Sequence, residues 1–235
     1  MPTTSVTSKQ TRVLTVGDIH GCLAQLDALL NAVQLTSEDH LVLLGDLVDR
    51  GPDSAGVLRR VQSLAASHRV TVIMGNHEQM MLEARDSHAK FTDWLKNGGD
   101  ATLKSFGGTR GSLRDIPAED WEFLSGRLAP YFENETHIFV HANVYPDMPL
   151  ADQPDYMLRW ERCDGIVPHG SGKVIVCGHT PQQLGRVMNR GFAICLDTDA
   201  CRGGPLSCLD ANSGRVWQAM ANGRVERSHI SDFES

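Results

Sequence analysis

The sequence predicts an α/β fold, on three observations. Short runs rich in Val, Ile and Leu alternate with stretches of helical periodicity. Several of these runs end in glycine or a charged turn, as strands do. Five of them lead straight into Asp, Asn or His, in the position beyond a strand's carboxyl end where open α/β sheets bind ligands.

Taken in order, residues 12–16, 40–44, 69–74, 137–140, 173–177 and 192–196 read as strands. Between the first two lies a helix over 23–33, with Leu23, Leu26, Leu30 and Val33 on one face. A second helix over 54–66 repeats the pattern with Val57, Leu58, Val61 and Leu64. Strand, helix, strand, helix, strand predicts a βαβαβ unit with right-handed crossovers. The looser stretch from about 83 to 135 holds the turn Asn97-Gly98-Gly99 and the glycine-rich run 107–111. It also holds a helix over 117–128, with Asp115 near its start and Pro117 at an early position. This stretch reads as a helical insertion or cap rather than an independent domain. After Leu206 two short strands flank Asn212-Ser213-Gly214, a hairpin pattern. From about Arg227 the chain is polar and is expected to fray. The expected organisation is one domain over 1–235, with a core at about 12–220 and the insertion at about 83–135.

Composition narrows the function. The 235 residues are 41% hydrophobic and 22% charged, with a formal net charge of −7. A polyanion binder is normally basic, so long nucleic acid is not an expected partner. The six cysteines include no C-x-x-C pair, several of them read as small buried hydrophobes, and their usage fits a reducing cytosol. No apolar h-region opens the chain and no run approaches the ~18 apolar residues of a membrane span, so a cytoplasmic protein without membrane contact is expected.

The polar residues at the strand ends carry the chemistry. They are Asp18 and His20 in G-D-I-H-G, Asp46 and Asp49-Arg50 in G-D-L-V-D-R-G, Asn76 and His77 in G-N-H-E, His141, and His179 in G-H-T. Glycine stands before the polar group at Gly17, Gly45, Gly75 and Gly178, permitting sharp turns and close backbone approach. Together these ends would place about six oxygen and nitrogen ligands around one point, a set suited to Mn, Fe, Zn or Co. No cysteine joins them, unlike a structural zinc site. A lone Asp at a strand end is usually a turn residue and a lone His usually packing; the agreement of five ends carries the metal reading. His40, His68, His88, His169 and His229 lack that context. His137 lies four residues before His141, ~13 Å away on a strand, and is not expected to share the site.

In this order the motifs resemble the phosphoprotein phosphatase family of the calcineurin-like metallophosphoesterases, from about Val13 to His179. Asp197-Thr198 and Gly203-Gly204-Pro205-Leu206 extend the resemblance. It implies a metallophosphoesterase-type β-sandwich of mixed sheets flanked by helices, with a small helical insertion. It also implies two divalent ions, Mn foremost, with Fe, Zn, Co or Ni as alternatives. Asp18, His20 and Asp46 match the ligands of the first ion, and Asp46, Asn76, His141 and His179 those of the second, with Asp46 bridging. His77 matches the general acid, oriented by Asp49. Arg50 matches a phosphate clamp, and Asn76 lies beside it as a substrate contact. A second clamp follows tryptophan in a W-x-R pattern, which selects Arg162 in Trp160-Glu161-Arg162, with Arg159 as the alternative.

The implied reaction is hydrolysis of phosphoserine and phosphothreonine on proteins by direct attack of a metal-bridging hydroxide, without a phosphoenzyme. Asn97-Gly98-Gly99, Thr102, Leu103, Ser105 and Gly107 are similar to a bacterial branch that also holds symmetrical diadenosine tetraphosphatases. That dinucleotide activity is the alternative; a non-catalytic phospho-binding scaffold stands third, disfavoured by the intact His77 and both arginines. The expected partner is a phosphorylated protein or small phosphoester. Trp94 and Trp121 read as core rather than base-stacking platforms. Asp199 stands where the family often has glycine, and Cys201 beside it is a candidate redox-sensitive thiol.

Overall fold

The computed structural model describes residues 11–234; the polar opening stretch read as leaderless lies outside them. Strand β1 (Val13–Val16) leads through helix α1 (Leu23–Val33) to β2 (His40–Leu43), and α2 (Ser54–Ser67) leads on to β3 (Arg69–Val72). The three strands pair in parallel, Val13 opposite His40 and His40 opposite Arg69. Asp53 starts α2 by accepting the Gly56 N–H at 2.7 Å. Helices α3 (Asn76–Glu83), α4 (His88–Trp94), α5 (Asp100–Gly107) and α6 (Ala118–Gly126) follow. They share the apolar cluster that α1 and α2 form on one face of β1 and β2: Leu26, Val57 and Leu58 meet Leu14, Leu41 and Leu43, and Met81, Trp94, Leu103 and Leu124 join them.

A second sheet follows. It comprises β4 (Tyr131–Glu133), β5 (His137–Val140), β6 (Val174–Cys177), β7 (Met188–Asn189) and β8 (Ala193–Cys195), in the order β4-β5-β6-β8-β7. Its middle strands β5, β6 and β8 are parallel and its edges antiparallel. Helix α7 (Asp155–Arg159) lies in the crossover from β5 to β6. The chain then returns to the first sheet as β9 (Leu206–Asp210), β10 (Arg215–Ala219) and β11 (Val225–His229), completing the order β11-β10-β9-β1-β2-β3.

The period-two alternation of each strand sorts its side chains between layers. Val13, Val42, Leu44 and Ile73 from the first sheet face Phe139, Val176, Ile194 and Leu196 from the second. The outer face of the second sheet, including Ile138, Val140, Ile175, Cys177 and Cys195, packs under Leu150, Leu158, Cys163 and Ile166. The result is two mixed sheets flanked by helices.

Two regions differ from the sequence reading. The end of the chain does not fray at Arg227: β11 pairs with β10 from Arg215↔His229 to Ala219↔Val225, and a 3₁₀ turn follows at Ile230–Phe233. An edge strand needs only backbone partners, so its half-exposed polar side chains left no apolar signature. Tyr131–Glu133, assigned to the looser stretch, pairs with β5 as the edge of the second sheet.

Candidate active site

Five strand ends converge where the two sheets meet. Asp18 and His20 follow β1, Asp46 and Asp49-Arg50 follow β2, and Asn76 and His77 open α3 after β3. His141 follows β5 and His179 follows β6. The ends of the first sheet thus supply carboxylates, amide and imidazoles, and the second sheet supplies two imidazoles. His20, Asp46, Asp49, Arg50 and His179 all have positive φ, between 44° and 73°. L-residues rarely adopt that conformation, and its concentration here marks a backbone held in place by its surroundings. Two glycines make the crowding possible. A Cβ on Gly75 would meet Asp46 Oδ1 at 2.2 Å, and one on Gly178 would meet Asp18 Oδ1 at 2.0 Å.

Carbonyls fix the ring tautomers. His20 Nδ1 donates to Val48 O and His141 Nδ1 to Leu44 O, each at 2.8 Å. His179 Nε2 donates to Trp160 O at 3.0 Å. The remaining nitrogen of each ring is left as a lone-pair donor. Burial lowers the pKa of all three, to about 3 for His20 and about 4 for His179, so they are neutral near pH 7. His141 Nε2 and His179 Nδ1 lie 3.0 and 3.1 Å from Asn76 Oδ1. With the amide in this orientation, three acceptors meet without a proton between them.

Asp46 sits at the centre. Its Oδ1 lies 3.4 Å from His141 Nε2, and its Oδ2 lies 3.4 Å from His20 Nε2 and 3.8 Å from His77 Nε2. Burial alone would raise its pKa, but four imidazoles, His141 foremost, hold it below the usual carboxylate range. Asp18 and Asp197 are pushed up, Asp18 by burial and then by the charges of Asp197 and Asp46, and Asp197 by burial to about 7.

His77 Nδ1 is 2.7 Å from Asp49 Oδ2. Asp49 also accepts from Trp94 Nε1 at 2.8 Å and from Thr102 Oγ1 at 2.6 Å. Burial opposes the imidazolium, yet the Asp46 and Asp49 carboxylates outweigh it and raise the His77 pKa. His77 Nε2 is buried without a hydrogen-bond partner. Arg50 Nη1 donates to His20 Nε2 at 2.8 Å.

A family profile described as calcineurin-like phosphoesterase matches residues 11–183. The chain belongs to the calcineurin-like phosphoesterase family. Members of that family are metal-dependent hydrolases. This phosphoesterase is 34% identical over 207 residues to serine/threonine-protein phosphatase 1 of Salmonella typhimurium, covering 83% of this chain and 89% of that protein. It is 50% identical over 143 residues to a symmetrical bis(5'-nucleosyl)-tetraphosphatase of Shigella dysenteriae, covering 58% of this chain but only 45% of that protein. A solved structure provisionally assigned as a diadenosine tetraphosphatase superposes with a TM-score of 0.64 at 26% identity, covering 94% of this chain and 95% of that one.

The site of the phosphoesterase fits divalent cations. Two trios of ligand atoms, His20-Asp46-His77 and Asp46-His141-His179, share Asp46, and within each trio the atoms lie within 4.8 Å of one another. The facing lone pairs at Asn76 and the crowded carboxylates both suit positive charge. Asp18 falls outside both trios: its carboxylate accepts the His179 N–H at 3.0 and 3.1 Å.

The phosphoesterase does not bring Arg162 into this cluster. That side chain is 57% exposed and its Nε donates to Asp164 at 2.6 Å. Arg159 is only 15% exposed, contacts Asp155 and Gln79, and its charge is felt at His141. Trp94 is fully buried, as read, but its indole N–H also holds Asp49.

Sequence reasoning assigned no role to Glu78, which accepts the backbone N–H groups of Asp46, Leu47, Val48 and Gly75 at 2.7–3.3 Å. It thereby holds the left-handed turn after β2. Its position three residues after Gly75, at the start of a helix, was the available signal. Asp199 has φ 60°, which explains why glycine suits that position.

Proposed function

We propose that this phosphoesterase hydrolyses phosphoserine and phosphothreonine esters on proteins, using two divalent ions, Mn foremost. Asp18, His20 and Asp46 would hold one ion, and Asp46, Asn76, His141 and His179 the other. The observation that carries the reading is the His77–Asp49 pair: one ring nitrogen is locked on a carboxylate and the other is buried, unpartnered and directed at the ligand cluster. When bound, the ions supply an acidic water and offset the charge of the phosphoryl oxygens. His77 donates a proton to the departing serine or threonine oxygen. Asp49 keeps His77 in the tautomer and charge state that allow it. Arg50, at the rim beside His20, grips phosphoryl oxygens with its planar fork. Arg162 would need to leave Asp164 to act as the second clamp, whereas the charge of the largely buried Arg159 already reaches His141.

The protein substrate is supported by similarity along 89% of the Salmonella phosphatase. A dinucleoside polyphosphate is the second reading, favoured by the 50% identity to the tetraphosphatase and the superposition along 95% of the solved chain. A turnover panel with Mn decides between them: phosphoserine, phosphothreonine and phosphotyrosine peptides against diadenosine tetraphosphate. An excess of kcat/KM for the phosphoserine and phosphothreonine peptides is expected; an excess for the dinucleotide would overturn the substrate assignment. His77→Asn is expected to lower kcat by ~10²–10⁴-fold with metal content unchanged. Loss of one ion would make His77 a ligand, as its place in the first trio allows.

A further inference from the structure

Away from the carboxylate–imidazole centre, the fold gathers three of the six cysteines. Cys177 and Cys195 end the parallel strands β6 and β8 and are direct register partners, so their side chains leave the sheet on the same face. That face is the outer one, and Cys163 closes over it from the 3₁₀ turn Cys163–Gly165. The three Sγ atoms lie within 4.8 Å of one another. All three residues are at most 1% exposed. The sequence separations, 14 and 18 residues, match no thiol motif, which is why the cluster is invisible before folding.

We propose that Cys163, Cys177 and Cys195 form a separate site for a thiophilic divalent d¹⁰ ion of the zinc and cadmium class. Three sulfurs at about 2.3 Å from such an ion stand roughly 3.8 to 4.0 Å apart, so only a small contraction of the trio is required. Soft thiolate donors select this class over the harder ions suited to Asp46 and its neighbours. The charge also favours a divalent ion: three thiolates around it leave one net negative charge, and Arg190 and Arg162 lie within electrostatic reach to offset it. A disulfide would use two of the sulfurs and strand the third. Gln182, with Nε2 4.0 Å from Cys163 Sγ, adjoins the trio on its polar side. The flanking Arg162 and Asp164 side chains are 57% and 67% exposed, so the turn carrying Cys163 lies at the surface and offers the entry path.

The site backs onto the centre described above. Cys195 Sγ donates to the carbonyls of Gly178 and Thr180, at 3.3 and 3.4 Å, on either side of His179. Metal binding removes that S–H, so occupancy is communicated to the His179 loop.

The test is a Cd²⁺ titration of the reduced, Mn-loaded protein under anaerobic conditions. A thiolate-to-cadmium charge-transfer band that saturates at one equivalent is expected. Cd²⁺ entering the carboxylate–imidazole centre gives no such band, so this readout is independent of the metal content and activity of that centre. Cys177→Ala and Cys163→Ser should each abolish the band, whereas Cys201→Ser and Cys208→Ser should retain it; Zn²⁺ should displace it competitively. Absence of the band from the native protein overturns the proposal, as does its persistence in Cys163→Ser, a substitution on the surface turn that spares both strands.

Discussion

Asp49 receives hydrogen bonds from His77, Trp94 and Thr102, and its backbone N–H donates to Ser54 Oγ and Thr102 Oγ1. A carboxylate so held fixes the ring beside it, and each donor contributes to that restraint. Trp94→Phe keeps most of the buried ring volume against Gly99 but deletes the N–H. Losses of this kind cost roughly 10- to 100-fold, and kcat is expected to fall within that range with metal content retained. Steady-state kinetics beside metal analysis would check it; an unchanged kcat would show that Thr102 and the backbone suffice. Glu78→Gln is the sharper change, because its NH₂ would face backbone donors. Each buried N–H left unpaired costs about 1–3 kcal/mol, and a lower urea midpoint with weakened metal affinity is expected. The proposed ligands were readable as residue types because each stands at the end of an apolar run. The partners that hold them were not, since Trp94 reaches Asp49 from 45 residues away, and the five left-handed conformations follow from contacts rather than from local sequence.

At the scale of elements, one ion pair ties the start of β1 to its neighbours. Arg12 bonds both oxygens of Asp39 and the carbonyls of Val33 and Gln34, joining the end of α1 to the entry of β2. Asp39 also accepts from the Thr36 N–H and hydroxyl. Burial opposes its charge, but Arg12 and Thr36 together lower its pKa. The folded protein therefore binds the Asp39 proton less readily than the unfolded chain does. The stability this supplies is present above the ordinary carboxylate pKa of ~3.9 and is lost as pH falls through the lower folded value. Asp39→Asn should cost about 1–3 kcal/mol near pH 7, and the gap between variant and wild type should narrow as the pH is taken below ~3.9. Urea unfolding at the two pH values measures it; a constant gap would mean that shape rather than charge is at work. The strands around this pair were legible from apolar runs, to within a residue or two at their ends. Val225–His229 was not, because an exposed edge strand is specified by its partner's free backbone groups and carries no apolar pattern of its own.

Across the whole molecule, the proposed ligands come from both layers. Asp18, His20, Asp46 and Asn76 follow strands of the first sheet, while His141 and His179 follow strands of the second. Apolar contacts such as Val42, Leu44 and Ile73 against Phe139, Val176 and Ile194 also join the sheets near these ends, beside the His141–Leu44 and His179–Asp18 hydrogen bonds. Ions shared through Asp46 would fasten one sheet to the other, and they would offset the burial and neighbouring carboxylate charge that raise the Asp18 and Asp197 pKa values. A ligand bound only by the folded state at 100 times its Kd adds ~2.7 kcal/mol, which for a chain of this size is a rise in Tm of roughly 5 to 10 °C. Chelation should reverse it, and Mn²⁺ should restore it in a concentration-dependent way. Asp46→Asn weakens the shared ligand and should lose most of the metal-dependent rise, whereas Phe139→Ala should lower Tm by opening a cavity between the sheets while leaving the metal-dependent increment in place. Calorimetric scans of the three proteins with and without chelator separate the two contributions. Equal increments in Asp46→Asn and wild type would mean that the ions act within one sheet and that apolar packing and direct hydrogen bonds join the two.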